Sequence, residues 1–188
     1  MEVKRRLKRF GNYKVGKVLG SGGFGIVYQA THIRTNFKVA MKVTRITNDG
    51  DKDNAFQLKS LHRETYLLAN LKHPNIVRIF EAASSKNYFC IFMQHIAGVT
   101  LLEDLQVKKR YTEEHAKLIS KQVAEALYYL HGKRVIHRDL KLENVMINPN
   151  ENHVVLIDFG FATAWYPGCL MSTHCGRYVK LTNLATYF

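Results

Sequence analysis

The sequence predicts an α+β protein, in which a small β-rich part is followed by a part led by a long helix. Apolar and polar residues alternate in several short runs before residue 97, which is typical of strands. A continuous helical pattern covers 112–132, with Thr112 placed as its N-cap and Glu113 and Glu114 at the positive end of the helix dipole. Gly98 marks the change from the first part to the second.

The first part contains five predicted strands and one predicted helix. The strands read YKVGKVLG, IVYQATH, FKVAMKV, NIVRIFEA and YFCIFMQHI. Polar residues at 47–54 predict a loop, and the leucines of AFQLKSLHRETYLLANLKH recur at helical spacing. Pro74 cannot continue that helix, so we expect it to stop near His73.

In the second part, the helix at 112–132 carries one apolar stripe that we expect to pack into the core. The stripe consists of Ala116, Ile119, Val123, Leu127 and Leu130. Gly132 suits the C-terminal cap of this helix. Two short strands, NVMI and HVVLID, are predicted after it.

The formal net charge of +13 is unevenly distributed, since residues 1–17 carry seven Lys or Arg against one acidic residue. The basic leader at 1–12 is compatible with simple solvation or with a patch for acidic partners, anionic lipid or nucleic acid. We favour the solvated leader. Nucleic acid is disfavoured, because no helix-turn-helix, zinc-finger or RNA-binding signature accompanies the charge.

The three cysteines, at 90, 169 and 175, form no CxxC pair, which argues against a disulfide framework or a zinc site and favours a reducing compartment. The beginning of the chain lacks the apolar core of a signal peptide, and no run approaches the ~18 apolar residues of a membrane span. We therefore expect a protein of the cytoplasm or nucleus. The sequence does not predict an oligomeric state.

A glycine-rich stretch, LGSGGFGIV, fits the pattern G-x-G-x-x-G-x-V and could bring backbone N–H groups close to phosphate oxygens. Three structures share this pattern: an ordinary hairpin turn, a dinucleotide-binding turn, and a hairpin folded over the phosphates of a nucleotide. The second requires a helix after the glycines and an acid about 20 residues further on. A strand follows here and position 45 is Arg, which favours the third structure.

Further along the chain, polar residues recur in contexts that suit phosphate chemistry. Lys42 stands inside an apolar strand, where an unpaired lysine is costly to bury, and Glu64 is the best candidate partner on the following helix. The stretch IHRDLKLENVMI contains Asp139, Lys141 and Asn144, and LIDFG ends a strand with an aspartate. Carboxylate and amide oxygens are ligands that Mg²⁺ prefers.

Taken together, the glycine stretch, the lysine of VAMK, HRDLKLEN and DFG resemble a eukaryotic-type serine/threonine protein kinase, most like the AMP-activated and calmodulin-dependent group. The resemblance covers about 13–176 and implies a bilobal fold, ATP and Mg²⁺ as cofactors, and Ser or Thr hydroxyls of proteins as substrates. It implies that Lys42 holds the α- and β-phosphates and is oriented by Glu64. It also implies that Asn144 and Asp158 hold Mg²⁺.

On the same resemblance, Asp139 accepts the substrate proton and Lys141 offsets charge near the γ-phosphate. The adenine would lie between Val27 and Ala40 on one side and Met146 on the other, with Met93 behind it and the backbone of Gln94 and Ile96 at its edge. Core packing alone would equally explain these apolar positions. The glycine loop that covers the phosphates comprises Leu19, Gly20, Ser21, Gly22, Gly23, Phe24, Gly25 and Val27.

Two positions concern regulation and ribose binding. The resemblance implies that Arg138 pairs with a phosphate on the activation loop, where STHCG offers Thr173 to an upstream kinase, although an unmodified surface threonine fits equally. Thr100 departs from the family, whose related members often carry an acid there for the ribose.

The resemblance ends after Gly176, because RYVKLTNLATYF contains no A-P-E. We expect a basic leader at 1–12, a small lobe at 13–96, a partial large lobe at 97–176 and a divergent tail at 177–188. The chain is then a kinase domain shortened before A-P-E. The alternatives are a weak or inactive nucleotide-binding module that engages kinase partners as a decoy, and a basic nucleic-acid or membrane binder.

Overall fold

The computed structural model describes residues 8–22, 25–46, 52–166 and 168, with only the backbone described at 52–57 and 60. The chain divides into two compact units. The first unit comprises Met1–Leu61 and Ile79–His95, and the second comprises His62–Arg78 and Ile96–Phe188. The predicted α+β class is confirmed, because the strands of the first unit form one sheet and the second unit holds the long helix.

A six-stranded antiparallel sheet in the order β1-β2-β3-β4-β6-β5 forms the first unit. Its strands are β1 (Arg9–Phe10), β2 (Tyr13–Gly22), β3 (Gly25–His32), β4 (Lys38–Arg45), β5 (Ile79–Ser84) and β6 (Tyr88–Gln94). Its core lies on one face of the sheet and consists of Ala30, Val39, Met41, Val43, Cys90 and Phe92. The residues of β4 that alternate with Val39, Met41 and Val43 point away from the core, to the opposite face of the sheet. That face can therefore carry polar side chains.

Tyr13 connects two distant strands of this sheet. Its ring stacks on Phe92 with centroids 4.2 Å apart, and its hydroxyl donates a 2.6 Å hydrogen bond to Glu81 Oε1 on β5. Burial, followed by the contact with Glu81, raises the pKa of Tyr13 to about 12. The hydroxyl therefore stays protonated and continues to donate this hydrogen bond at neutral pH.

In the second unit, α2 (Leu101–Lys108) and α3 (Glu113–Gly132) accompany the short strands β7 (Val99–Thr100), β8 (Val135–Ile136), β9 (Val145–Asn148), β10 (His153–Leu156) and β11 (Thr163–Ala164). The helix α1 (Lys52–Ala69) begins in the first unit and ends in the second. Of the predicted stripe of α3, Ala116, Ile119 and Leu130 are buried. Val123 and Leu127 are buried only in part.

Buried Asn75 joins three segments of the second unit. Its Nδ2 donates to Gln122 Oε1 on α3 at 2.9 Å and to the carbonyl of Val154 on β10 at 2.7 Å. Ile76 then forms a parallel bridge with Leu156. This places the segment after α1 against β10, the strand that leads towards Asp158.

Several predicted boundaries were wrong. The helix α1 begins at Lys52, inside the predicted loop at 47–54, and it ends at Ala69 rather than near His73. Asn75–Arg78, predicted as strand, form only an isolated bridge, and β5 begins at Ile79. Gly132 is the last residue of α3, and Lys133 is its C-cap. The two-residue strands β1, β7, β8 and β11 and the helix α2 had no counterpart in the sequence prediction.

Among the described residues, no helix combines the length and the apolar character needed to cross a membrane.

Candidate active site

The glycine-rich stretch forms a hairpin between β2 and β3. Gly22 pairs with Gly25, Ser21 with Ile26, and Gly20 with Val27. The strand expected after the glycines is therefore present, which excludes the dinucleotide-binding turn. Gly23 and Phe24 lie outside the described residues.

The three motif glycines have different local surroundings. Gly25 has a φ of +121°, and a Cβ there would lie 2.3 Å from the carbonyl oxygen of Val43. A Cβ at Gly20 or Gly22 would meet nothing within 4 Å. The fold thus requires glycine at position 25, whereas a requirement at positions 20 and 22 has to come from a ligand that approaches the backbone.

On the face of the sheet opposite the core, Lys42 has a defined set of neighbours. It pairs with Val27 on β3 and with Ile91 on β6, and Ala40 pairs with Met93. Lys42 is only 7% exposed and Ala40 8%. Cross-strand partners share a face, so a cation and an apolar surface lie side by side in the first unit.

The remaining residues predicted for nucleotide binding are distributed over both units. Leu19 is 42% exposed, whereas Val27 and Gln94 are partly buried. Ile96 and Met146 are partly buried in the second unit.

Glu64 lies on the part of α1 that belongs to the second unit and is 3% exposed. A carboxylate this deeply buried requires compensating contacts, because desolvation strongly disfavours an isolated charge.

Two neighbouring side chains hold the carboxylate of Asp139. Its Oδ2 accepts a 2.8 Å hydrogen bond from Asn144 Nδ2 and contacts Lys141 Nζ at 2.5 Å. Asn144 Nδ2 also donates to the backbone carbonyl of Asp139 at 2.8 Å. Asp139 Oδ1 is buried and has no hydrogen-bond partner among the described residues. One carboxylate oxygen is therefore fixed, and the other remains able to accept a proton or a hydrogen bond.

His137 holds the backbone of the loop that carries Asp139. The N–H of Asp139 donates to His137 Nδ1 at 3.3 Å, so Nε2 carries the proton and donates to the carbonyl of Ile157 at 3.3 Å. Its ring packs edge-on against Phe159 with centroids 4.8 Å apart. Burial lowers the pKa of His137, which keeps the ring neutral and preserves this tautomer at physiological pH.

The segment after β10 brings Asp158 next to the same loop. The N–H of Ile157 donates to the carbonyl of Asn144 at 2.9 Å. Asp158 has a φ of +59°, a left-handed conformation that is rare for residues other than glycine and is often found at functional sites. The backbone segments that carry Asn144 and Asp158 are therefore hydrogen-bonded neighbours within the second unit.

Arg138 also has a left-handed backbone, with a φ of +65°. Its Nε donates a 2.7 Å hydrogen bond to the carbonyl of Phe161, which ties the loop to the segment after Asp158. Thr173, its predicted partner when phosphorylated, lies outside the described residues.

Thr100 has a structural role that sequence reasoning missed. It caps α2, where its hydroxyl accepts from the N–H of Glu103 while Glu103 Oε2 accepts from the N–H and hydroxyl of Thr100. The spacing T-x-x-E is the sequence signature of this capping box and could have revealed both Glu103 and α2.

The chain resembles known proteins over most of its length. A family model described as a protein kinase domain matches residues 13–179. The serine/threonine-protein kinase SIK3 homolog of Danio rerio is 32% identical over 170 residues, which are 90% of this chain and 14% of that protein. The hormonally up-regulated neu tumor-associated kinase homolog A of Xenopus laevis is 35% identical over 174 residues, covering 90% of this chain and 24% of that protein. The chain thus spans less than a quarter of the length of these relatives.

Proposed function

Because the chain belongs to the protein kinase family, we propose that it transfers the γ-phosphoryl group of ATP to Ser or Thr hydroxyls of protein substrates. The observation that carries this proposal is the geometry of Asp139, a buried carboxylate with one oxygen fixed and the other unpartnered among the described residues. Phosphoryl transfer needs alignment and charge neutralisation more than covalent help from the protein.

Asp139 is the proposed acceptor of the substrate proton. Lys141 and Asn144 hold its Oδ2, which leaves Oδ1 to receive a hydrogen bond from the Ser or Thr hydroxyl. This contact orients the hydroxyl oxygen and takes up its proton as the new phosphate ester forms, while the bond between the γ-phosphorus and the oxygen bridging to the β-phosphate breaks and ADP leaves. The ammonium group of Lys141 contacts Asp139 and therefore lies close enough to offset negative charge on the transferred phosphoryl group.

The donor set fits Mg²⁺ bound together with phosphate. Asn144 uses Nδ2 for both of its hydrogen bonds to Asp139, so its side-chain oxygen is the atom that would coordinate the cation. Asp158 would supply the carboxylate. One carboxylate and one amide oxygen suffice when phosphate and water complete the coordination shell, as is usual for Mg²⁺. The bound cation supplies positive charge that neutralises the phosphate oxygens.

ATP itself would be held mainly by the first unit. Lys42 would bind the α- and β-phosphates with Glu64 as its orienting partner, and the backbone around Gly20 and Gly22 would cover the phosphates. The adenine would rest on Val27, Ala40, Met93 and Met146, with its edge at the backbone of Gln94 and Ile96. The open space at the first two motif glycines supports this role.

We expect Mg²⁺-dependent ATP binding and transfer of labelled phosphate to a Ser- or Thr-containing peptide. Chelation of divalent cations with EDTA should abolish transfer. ATP binding without transfer would instead favour the non-catalytic, decoy module. If ATP did not bind at all, the proposed function would be wrong.

The glycine hairpin offers a paired test of ATP binding. Gly22→Ala should leave the free energy of unfolding within about 0.5 kcal/mol of the parent, because its Cβ would enter open space. The same change should weaken ATP binding about tenfold, since a methyl group would obstruct the approach of phosphate. Gly25→Ala should instead destabilise the fold by at least about 2 kcal/mol, through its positive φ and the 2.3 Å approach of its Cβ to the carbonyl oxygen of Val43. Calorimetric titration with ATP and thermal melting separate the two effects, and equal behaviour of both variants would contradict the assignment.

The proposal also covers the regulatory phosphorylation site, the cellular compartment and the division of the chain into segments. Thr173 is the proposed site for an upstream kinase, with Arg138 as the partner of its phosphate. The odd number of cysteines favours the cytoplasm or nucleus. The proposed domain division is a basic leader at 1–12, a small lobe at 13–96, a partial large lobe with the Asp139 loop and DFG at 97–176, and a divergent tail at 177–188.

A further inference from the structure

The charged residues of the strands β1 to β4 are all basic. Between Glu2 and Asp49 the sequence contains eleven Lys or Arg and no acidic residue. Most of the net charge of +13 is therefore concentrated in about a quarter of the chain. The proposed phosphate chemistry uses one of these residues, Lys42, and leaves the others without a role.

Three of these cations form a row across neighbouring strands. Arg9 lies opposite Lys14, Lys14 opposite Thr31, and Thr31 opposite Lys38. Directly opposed residues share a face of the sheet, so the three cations lie on one side of it, where each is exposed. Like charges directly opposite each other, as at Arg9 and Lys14, are destabilising, so this row costs stability unless an anion compensates it.

The electrostatic surroundings of His95 are consistent with a positive field at this end of the sheet. Its pKa is lowered by burial and then by the nearby charges of Lys38 and Lys17. Its Nε2 lies 3.3 Å from Gln29 Nε2.

Exposed apolar side chains lie at the same end of the sheet, in the turn between β3 and β4. Ile33 is 46% exposed and Phe37 54%, with Arg34 between them in sequence. Phe37 packs edge-on against Phe80, itself 40% exposed, with centroids 5.5 Å apart. Phe37 and Phe80 form a contiguous exposed apolar pair, and Ile33 lies in the same turn as Phe37. We call these three residues the apolar tip.

Backbone hydrogen bonds order the turn that carries the apolar tip. The N–H of His32 donates to the carbonyl of Phe37 at 2.9 Å, and that of Asn36 to the carbonyl of His32 at 2.9 Å. The N–H of Ile33 donates to the carbonyl of Asn12 at 2.8 Å, which attaches the turn to the neighbouring turn between β1 and β2. The apolar tip and the cationic row are therefore presented together by two connected turns.

We propose that this end of the sheet binds the surface of an anionic phospholipid bilayer. Ile33 and Phe37 enter the headgroup region, and Arg9, Lys14, Arg34 and Lys38 contact lipid phosphates and carboxylates. Binding at a membrane surface is favoured by apolar side chains flanked by Lys and Arg. Burial of the apolar side chains and attraction of the cations to anionic lipid both contribute to the binding free energy. A nucleic acid or an acidic peptide would use the cations but would not require the apolar tip. The binding is independent of phosphoryl transfer.

The test is co-sedimentation of the full chain with phospholipid vesicles. Vesicles of phosphatidylcholine with about 30% phosphatidylserine should bind it, and vesicles of pure phosphatidylcholine should not. Raising the salt concentration from about 0.1 M to about 0.5 M should weaken the binding. Equal binding to both kinds of vesicle would overturn the proposal.

Variants distinguish the apolar tip from general basicity. Ile33→Ser with Phe37→Ser should weaken vesicle binding about tenfold or more. Lys14→Glu with Lys38→Glu should do the same. The matched controls are Val107→Ser with Leu118→Ser and Lys117→Glu with Lys121→Glu, at exposed positions on α2 and α3, which should bind as the parent does. Binding that survives loss of the apolar tip, or an RNA oligonucleotide that competes equally against parent and tip variant, would overturn the proposal.

A fluorescence readout keeps the test decisive if the double variant folds poorly. Trp165 is the only tryptophan, so Phe37→Trp in a Trp165→Phe background reports on one position. Its emission should shift to shorter wavelength with the anionic vesicles and not with the neutral ones. No shift in a folded protein that binds the vesicles would contradict insertion of the apolar tip.

Discussion

Replacing Asp139 by Asn should reduce phosphate transfer by about 10²–10⁴-fold while ATP binding remains nearly intact. The amide cannot accept the hydroxyl proton, yet it occupies the same volume and can still contact Lys141 and Asn144 through its oxygen. The fall should appear in kcat rather than in the ATP dissociation constant. Single-turnover transfer of labelled phosphate, with calorimetric ATP titration alongside, measures both quantities.

Asp104→Asn is the matched control for this substitution. Asp104 is also a buried aspartate of the second unit, and it accepts from Tyr111 Oη at 2.8 Å and pairs with Lys108 at 2.9 Å. Its replacement should lower stability but leave transfer per folded molecule unchanged. If the variant of Asp139 kept full turnover, the assignment of the proton acceptor would be wrong, and if both variants lost transfer equally, the effect would be structural.

Replacing Gly98 by Ala should destabilise the protein by about 3 kcal/mol, one of the largest effects available to a single methyl group. A Cβ at this position would lie 2.1 Å from the carbonyl oxygen of Ile147 and 2.8 Å from its carbonyl carbon. Both contacts are with backbone, which cannot rotate away. The pairing of β7 with β9 depends on this close approach, because Val99 lies directly opposite Ile147. The melting temperature should fall by about 6–12 °C in a thermal scan.

Gly132→Ala adds the same methyl group but is expected to raise the stability of the protein rather than lower it. Gly132 is helical and a Cβ there would meet nothing within 4 Å. Alanine has the higher helix propensity and restricts the unfolded chain, so stability should rise by about 0.5 kcal/mol. A melting temperature that falls equally in both variants would contradict the assigned cause.

The motifs could be located from sequence because their chemistry restricts the residue types and their order. The hairpin at Gly20–Val27, the strand that carries Lys42, and the adjacency of Asp139 to Asn144 all followed from such patterns, and the structure has the same elements. The long helix α3 was predictable because its apolar stripe extends over about four turns and a capping threonine precedes the helix.

The missed elements are those in which local pattern is weak or distant contacts decide. The strand β1 has two residues, too few for any periodicity, and it exists because Phe10 packs on the core at Phe92. The beginning of α1 at Lys52 lies in a polar stretch whose composition suggests a turn. The free oxygen of Asp139 depends on the side-chain positions of Lys141 and Asn144, which no single-residue pattern encodes.

The discontinuity of the first unit has a consequence for synthesis on the ribosome. Between its two segments the chain crosses to the second unit, where Val77 donates to the carbonyl of Leu156 at 2.9 Å. Ile76 and Val77, which are 2% and 1% exposed in the finished fold, emerge some eighty residues before that strand does. At ~5–20 residues per second their apolar surface stays uncovered for several seconds. Nascent chains should therefore engage chaperones until β10 has left the exit tunnel.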